Sequence, residues 1–138
     1  MSKIIKIIAI LSIIATTSSQ AERRENEKDN QAELTSKPSI IALAPHIVEM
    51  LYAVGSGEQI IGTTDFADYP EQAKSIPRIG NYAKLQIERV IELQPDLIIA
   101  WQSGNPSDDL ARLAQLGFNI IYSEPKTFED IAKEIRLF

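Results

Sequence analysis

The stretch Gly80–Trp101, GNYAKLQIERVIELQPDLIIAW, constrains the fold more than any other part of the chain. Ile87, Val90 and Ile91 recur at helical spacing, so 87–93 is expected to form a short helix with one apolar face. Pro95 ends that helix, because it lacks an N–H, and it pushes Gln94 towards extended geometry. Leu97–Ala100 then runs apolar without alternation, the pattern of a parallel strand buried on both faces. Trp101 closes the strand, and the polar, turn-rich QSGNPSDD follows. In open α/β sheets, ligands bind just outside the carboxyl ends of the strands. An aromatic side chain there is better placed to touch a ligand than to fill a core.

The same alternation of strand and helix runs through the chain from Pro38 onward. Ile40–Leu43, Gln59–Thr64 and Asn119–Tyr122 are expected as further strands. Ile47–Val54 is expected as a helix stopped by Gly55, and Asp108–Leu116 as one stopped by Gly117. A last helix runs through Phe128, Ile131 and Ile135 with Thr127 as its cap. Strands alternating with helices mean βαβ units, hence an α/β fold: a parallel sheet with helices on both faces. Between the second strand and the central helix, Asp65–Leu85 is long and irregular, yet it carries Phe66, Tyr69 and Tyr82. Long loops of compact domains are functional or disordered, and this one is too aromatic for disorder.

The segments before Pro38 read differently. Met1–Ala21 has Lys3 and Lys6, a short apolar run and the small-x-small site Ser19-Gln20-Ala21, as in a secretory signal peptide cleaved after Ala21. The apolar run is shorter than the roughly 18 residues a membrane span needs. Residues 22–37 are polar and of mixed charge, the composition of a disordered leader. Residues 38–138 remain as one α/β domain. The chain has no cysteine, so neither a lipoprotein anchor nor a disulfide is expected, and a soluble periplasmic location follows. Of 14 basic and 19 acidic side chains, the signal removes two lysines and no acids, leaving a net charge of −7. An acidic exported domain without a basic cluster is unsuited to nucleic acid or to anionic lipid.

Few residues carry chemistry. His46 is the only histidine, three residues before Glu49, and one histidine makes a poor transition-metal site; it is expected to line the mouth of a cleft, and no bound metal is expected. Gly55-x-Gly57 with Gly62 lies after a helix and before a strand, the wrong order for phosphate binding. Asp65 and Asp68 suit a loop stabiliser. No nucleophile elbow, P-loop or Ser/His/Asp spacing occurs, so an enzyme is not expected. Trp101, Tyr82 and Phe66 are candidates to stack on a rigid, flat ligand, or else to pack as a satellite cluster under the long loop. Glu88 and Glu92 lie on the polar face of the central helix, where such pairs are ordinarily solvated.

SIIALAPHIVEMLYAVG, GTTDFADYPEQAKSIPRIGNYAKLQIERVIELQPDLIIAWQSGN and the later DIAKEI resemble the N-terminal lobe of the periplasmic cobalamin (vitamin B12)-binding proteins. These are class III substrate-binding proteins of ABC importers, with haem- and siderophore-binding relatives. The resemblance spans Ser39–Phe138. It implies that Phe66, Tyr82 and Trp101 face a corrin ring, with a tyrosine expected where this chain has Phe66. It also implies that Glu88 docks on arginines of the importer permease, and that cobalamin is cargo rather than a cofactor. Chains of that family are about twice as long, with a linking helix and a second lobe, so Ile131, Ile135 and Phe138 are expected to be exposed here. The alternatives are another bulky chelate, haem or a ferric siderophore, for which only Arg78 is near, or an exported α/β module without a ligand.

Overall fold

The computed structural model describes residues 37–137. The signal peptide read over 1–21 and the leader read over 22–37, Lys37 apart, lie outside the described residues. Four parallel strands form one sheet: β1 (Ile40–Ala42), β2 (Ile60–Thr63), β3 (Leu97–Trp101) and β4 (Ile120–Ser123), in the spatial order β2-β1-β3-β4. The helices are α1 (Pro45–Ala53), α2 (Ile87–Leu93), α3 (Ser107–Gln115) and α4 (Phe128–Ile135). Short 3-10 turns at Gly57–Gln59 and Glu71–Ser75 complete the order.

Successive residues of a strand point to opposite faces, and the core divides accordingly. Ile40, Ala42 and Ile99 join α1 residues Ile47, Val48 and Leu51 in one half. Ile41, Leu43, Ile98 and Ala100 join Val90 of α2 and Leu113 of α3 in the other. Ile131 and Ile135 of α4 pack half-buried on the α1 half. The sheet thus carries helices on both faces. The expectation that Ile131 and Ile135 stand exposed is corrected: both are half-buried against the α1 half of the core, at the side of a groove between α1 and α4, while Phe138 lies outside the described residues.

Local chemistry sets the boundaries. Thr127 caps α4 through a reciprocal box, its hydroxyl accepting from Asp130 N–H and the Asp130 carboxylate accepting from Thr127 N–H. Gln94 departs from the extended geometry expected before Pro95. It takes a left-handed conformation (φ 45°, ψ 58°) and caps α2, its N–H donating to Val90 O. Pro95 disfavours the right-handed helical region for Gln94, and the helix end takes the left-handed one. Within α2, Ile87 and Val90 are buried but Ile91 is 43% exposed, because the apolar face is narrower than three isoleucine and valine positions suggest. At the amino end of the sheet, Asp96 accepts from both the N–H and the hydroxyl of Ser39 at 2.7 Å, which locks β1 beside β3.

Candidate ligand-binding site

The strand order creates the site. β1 and β3 are neighbours, but the segment after β1 leads to α1 on one face and the segment after β3 leads to α3 on the other. Chains that part in this way leave a crevice at the carboxyl ends of the strands. Buried Asn105 pins its floor: its side-chain oxygen accepts from Trp101 N–H at 2.7 Å, and its side-chain nitrogen donates to Leu43 O at 2.8 Å. Trp101 lies flat over Gly104, where an added Cβ would come within 1.9 Å of the indole. Only glycine lets the ring rest on the backbone there.

Phe66, Tyr82 and Trp101 all line this crevice, which holds about 270 Å³ with Leu43, Pro45 and Asp65 among its other walls. The backbone that carries each ring is held by local hydrogen bonds. Asp65 N–H donates to Gly80 O, and Phe66 follows at φ 68°, an uncommon conformation for an aromatic residue. Tyr82 sits at the tip of a loop closed by Gly80 and Leu85, in which Asn81 Oδ1 accepts from the N–H of Ala83 and Lys84. Gly80 is required there, since a Cβ would lie 2.4 Å from Lys84 O. Leu85 N–H donates to Asp109 of α3, tying the loop to that helix. Phe66 and Tyr82 are each 74% exposed, so they do not form a satellite cluster; Ala67, Ala73 and Ile76 pack beneath the loop instead.

On its other side, Trp101 borders a larger groove of about 570 Å³ between α1 and α4, lined by His46, Glu49, Met50, Tyr69 and Ile131 among others. His46 meets the indole edge-on, ring centres 5.5 Å apart. Its Nε2 lies 3.3 Å from Ser123 Oγ, which donates to Glu134 Oε2 at 2.5 Å. Burial pulls the pKa of His46 below its ordinary value of 6.5, against the opposing pull of Glu134, Glu49 and Glu124. His46 thus lines this groove, beyond Trp101 from the crevice itself. Asn105, Gly104, Tyr69 and Glu134 were not singled out as site residues. The strand-ending GN element carried the signal for the first two, whereas Glu134 looks in sequence like any helix-surface acid.

Glu88 does not line the crevice. It projects from the first turn of α2 with its side chain 78% exposed, 3.9 Å from Arg112 of α3, while Glu92 pairs with Arg89 at 2.8 Å. α2 runs back along the sheet, so its first turn lies at the same end as the crevice. Asp68 accepts from Arg78, and Asp65 from Asn81 at 3.4 Å, so both acids brace the loop. Arg78 is spent on Asp68 and on the carbonyls of Ala67, Ala73 and Ile76. Among the described residues, no group of three His, Cys, Asp or Glu gathers to hold a metal ion.

The sequence profile of the family described as periplasmic binding protein matches residues 40–137. The vitamin B12-binding protein of Vibrio vulnificus is 46% identical over 96 residues, 70% of this chain and 35% of that protein. That of Vibrio campbellii is 48% identical over 96 residues, with the same shares covered. The chain spans about a third of the length of these curated relatives. Among solved structures, the periplasmic vitamin B12 binding protein BtuF of Vibrio cholerae superposes with a TM-score of 0.70 at 45% identity, over 72% of this chain and 39% of that one. The periplasmic heme-binding protein RhuT of Roseiflexus sp. RS-1 does so at 0.59 and 31%, over 63% of this chain and 34% of that one. With the profile matched over nearly all of the described residues and the parallel sheet shared, the chain belongs to the periplasmic binding protein family.

Proposed function

We propose that this chain supplies one wall of a periplasmic site that captures cobalamin and delivers it to an ABC importer. The observation that carries the reading is the convergence of Phe66, Tyr82 and Trp101 on one crevice, each with ring surface left open. Aromatic side chains, with only two χ angles each, stack on a rigid macrocycle at little entropic cost. Similarity to vitamin B12-binding proteins at 46% identity supports the same ligand. Glu88, exposed at the crevice end of α2, is the contact offered to the permease. No part of this role calls for catalysis. A haem or ferric siderophore site would draw on arginines, tyrosines or histidines facing the cleft; Arg78 is already tied to the loop it braces, whereas His46, Tyr69 and Tyr82 border the cavities, so the two ligand classes are separated by titration. Titration with cyanocobalamin, haemin and ferrichrome, followed by fluorescence of the sole tryptophan, tests the reading. Saturable quenching by cyanocobalamin at the lowest concentrations supports it, and a clear preference for haemin or ferrichrome overturns it.

A further inference from the structure

The groove on the His46 side of Trp101 has its own chemistry. Trp101 lines both this groove and the crevice, so the rim of a ligand stacked on the indole reaches into the groove. Among the described residues the lining contains His46 and Glu49 but no lysine or arginine. Behind His46, Ser123 gives its one hydroxyl hydrogen to Glu134. Its oxygen is left to accept, so the 3.3 Å contact is a bond that His46 Nε2–H donates. A neutral ring protonated on Nε2 presents Nδ1 as a lone-pair acceptor. Burial holds the ring neutral although three carboxylates face it: Glu134 from α4, Glu49 from α1 and Glu124 from the segment after β4.

We propose that this groove is the subsite for uncharged N–H donors on the ligand rim, with His46 and Glu49 accepting from primary carboxamides and the same lining turning away carboxylates. The proposal rests on the cobalamin reading and deepens it into a selection rule. The corrin rim carries amides, whereas haem carries two propionates. An amide nitrogen meets acceptors in the groove, and a carboxylate meets Glu49 and a histidine lone pair with no cation to pair with.

The test compares cyanocobalamin with its peripheral monocarboxylic acids, each with one rim amide hydrolysed, by calorimetry at pH 7.5 and 5.5. At least one acid is expected to bind roughly tenfold more weakly at pH 7.5, the loss of one hydrogen bond to the half-buried His46 and the gain of a charge beside Glu49. The gap should shrink on acidification, as His46 gains a proton below its ordinary range and Nδ1 becomes a donor. His46→Phe should abolish that pH dependence. The imidazole ¹⁵N shifts of the single histidine should show the Nε2–H tautomer in the parent, and Glu134→Gln should disturb it; both readings remain available if His46→Phe does not fold. An Nδ1–H tautomer, or equal affinity for every acid at pH 7.5, overturns the inference while cobalamin binding stands. Failure of all corrinoids to bind, with haemin bound, overturns the cobalamin reading and this inference with it.

Discussion

Replacing Trp101 by alanine removes a ring that touches two cavities at once. The residue is 38% exposed, and that open part is the surface a stacked ligand covers. A tryptophan side chain offers roughly 250 Å², so the fraction open to ligand is roughly 90 Å². At about 25 cal/mol per Å² this is worth about 2 kcal/mol. Trp101→Ala should therefore raise the Kd for cyanocobalamin about thirtyfold. Because the variant has no tryptophan, calorimetry is the assay, with far-UV circular dichroism to check the fold. The covered part of the ring, over Gly104 and against His46, also contributes to stability, so a modest loss in the urea midpoint is expected. Trp101→Phe keeps an aromatic face and should recover part of the affinity. A folded alanine variant that binds as tightly as the parent refutes the stacking argument. An alanine variant that fails to fold, beside a phenylalanine variant that folds without binding any better, shows that Trp101 serves the core.

Asn105→Ala leaves Trp101 N–H and Leu43 C=O without their partner, and at about 1–3 kcal/mol per orphan the total should reach roughly 2–6 kcal/mol in urea unfolding; a change under about half a kcal/mol would mean that water replaces the side chain. Glu88→Ala should leave stability within about half a kcal/mol, since the Arg112 contact is long and exposed. The same variant should lose capture by a detergent-solubilised vitamin B12 importer while keeping ligand affinity, and undiminished capture returns Glu88 to the solvated surface. Stability should also fall as pH drops below 6.5. The folded chain holds the His46 pKa below its unfolded value, so the unfolded chain binds the proton first and the contribution present above pH 6.5 is lost on acidification. The exposed carboxylates of Asp96 and Asp130, held below their ordinary 3.8 by hydrogen bonds from Ser39 and Thr127, act only at lower pH. Urea midpoints at pH 7.5 and 5.5 should thus differ for the parent and converge in His46→Asn, and an unchanged difference in the variant would place the titration elsewhere.

Much of the fold was legible because its signals are local. The run Leu97–Ala100, the Thr127 cap and the Gly55 and Gly117 stops each act within a few residues, and each falls where an element begins or ends. The errors also have local causes. Gln94 was expected to be extended because a proline follows, but the end of α2 offered the left-handed region as well. Ile91 counted towards an apolar face that proved one residue narrower. The three aromatic positions were visible as residue types at strand ends. That Phe66 and Tyr82 stand exposed rather than packed depended on the hydrogen bonds of Gly80, Asn81 and Leu85 beneath them.

By itself the sequence determined an alternating α/β chain, a sheet buried on both faces and the aromatic character of its carboxyl end, since periodicity, proline and glycine act along the chain. Only the tertiary structure decided that β1 lies between β2 and β3, which parts the chain into a crevice. It alone joined Asn105 to Leu43 across 62 residues and stood His46 against Trp101 with Glu134 behind. Those pairings are set by strand order and helix packing, which depend on the whole core closing at once and leave no mark in any one stretch of sequence.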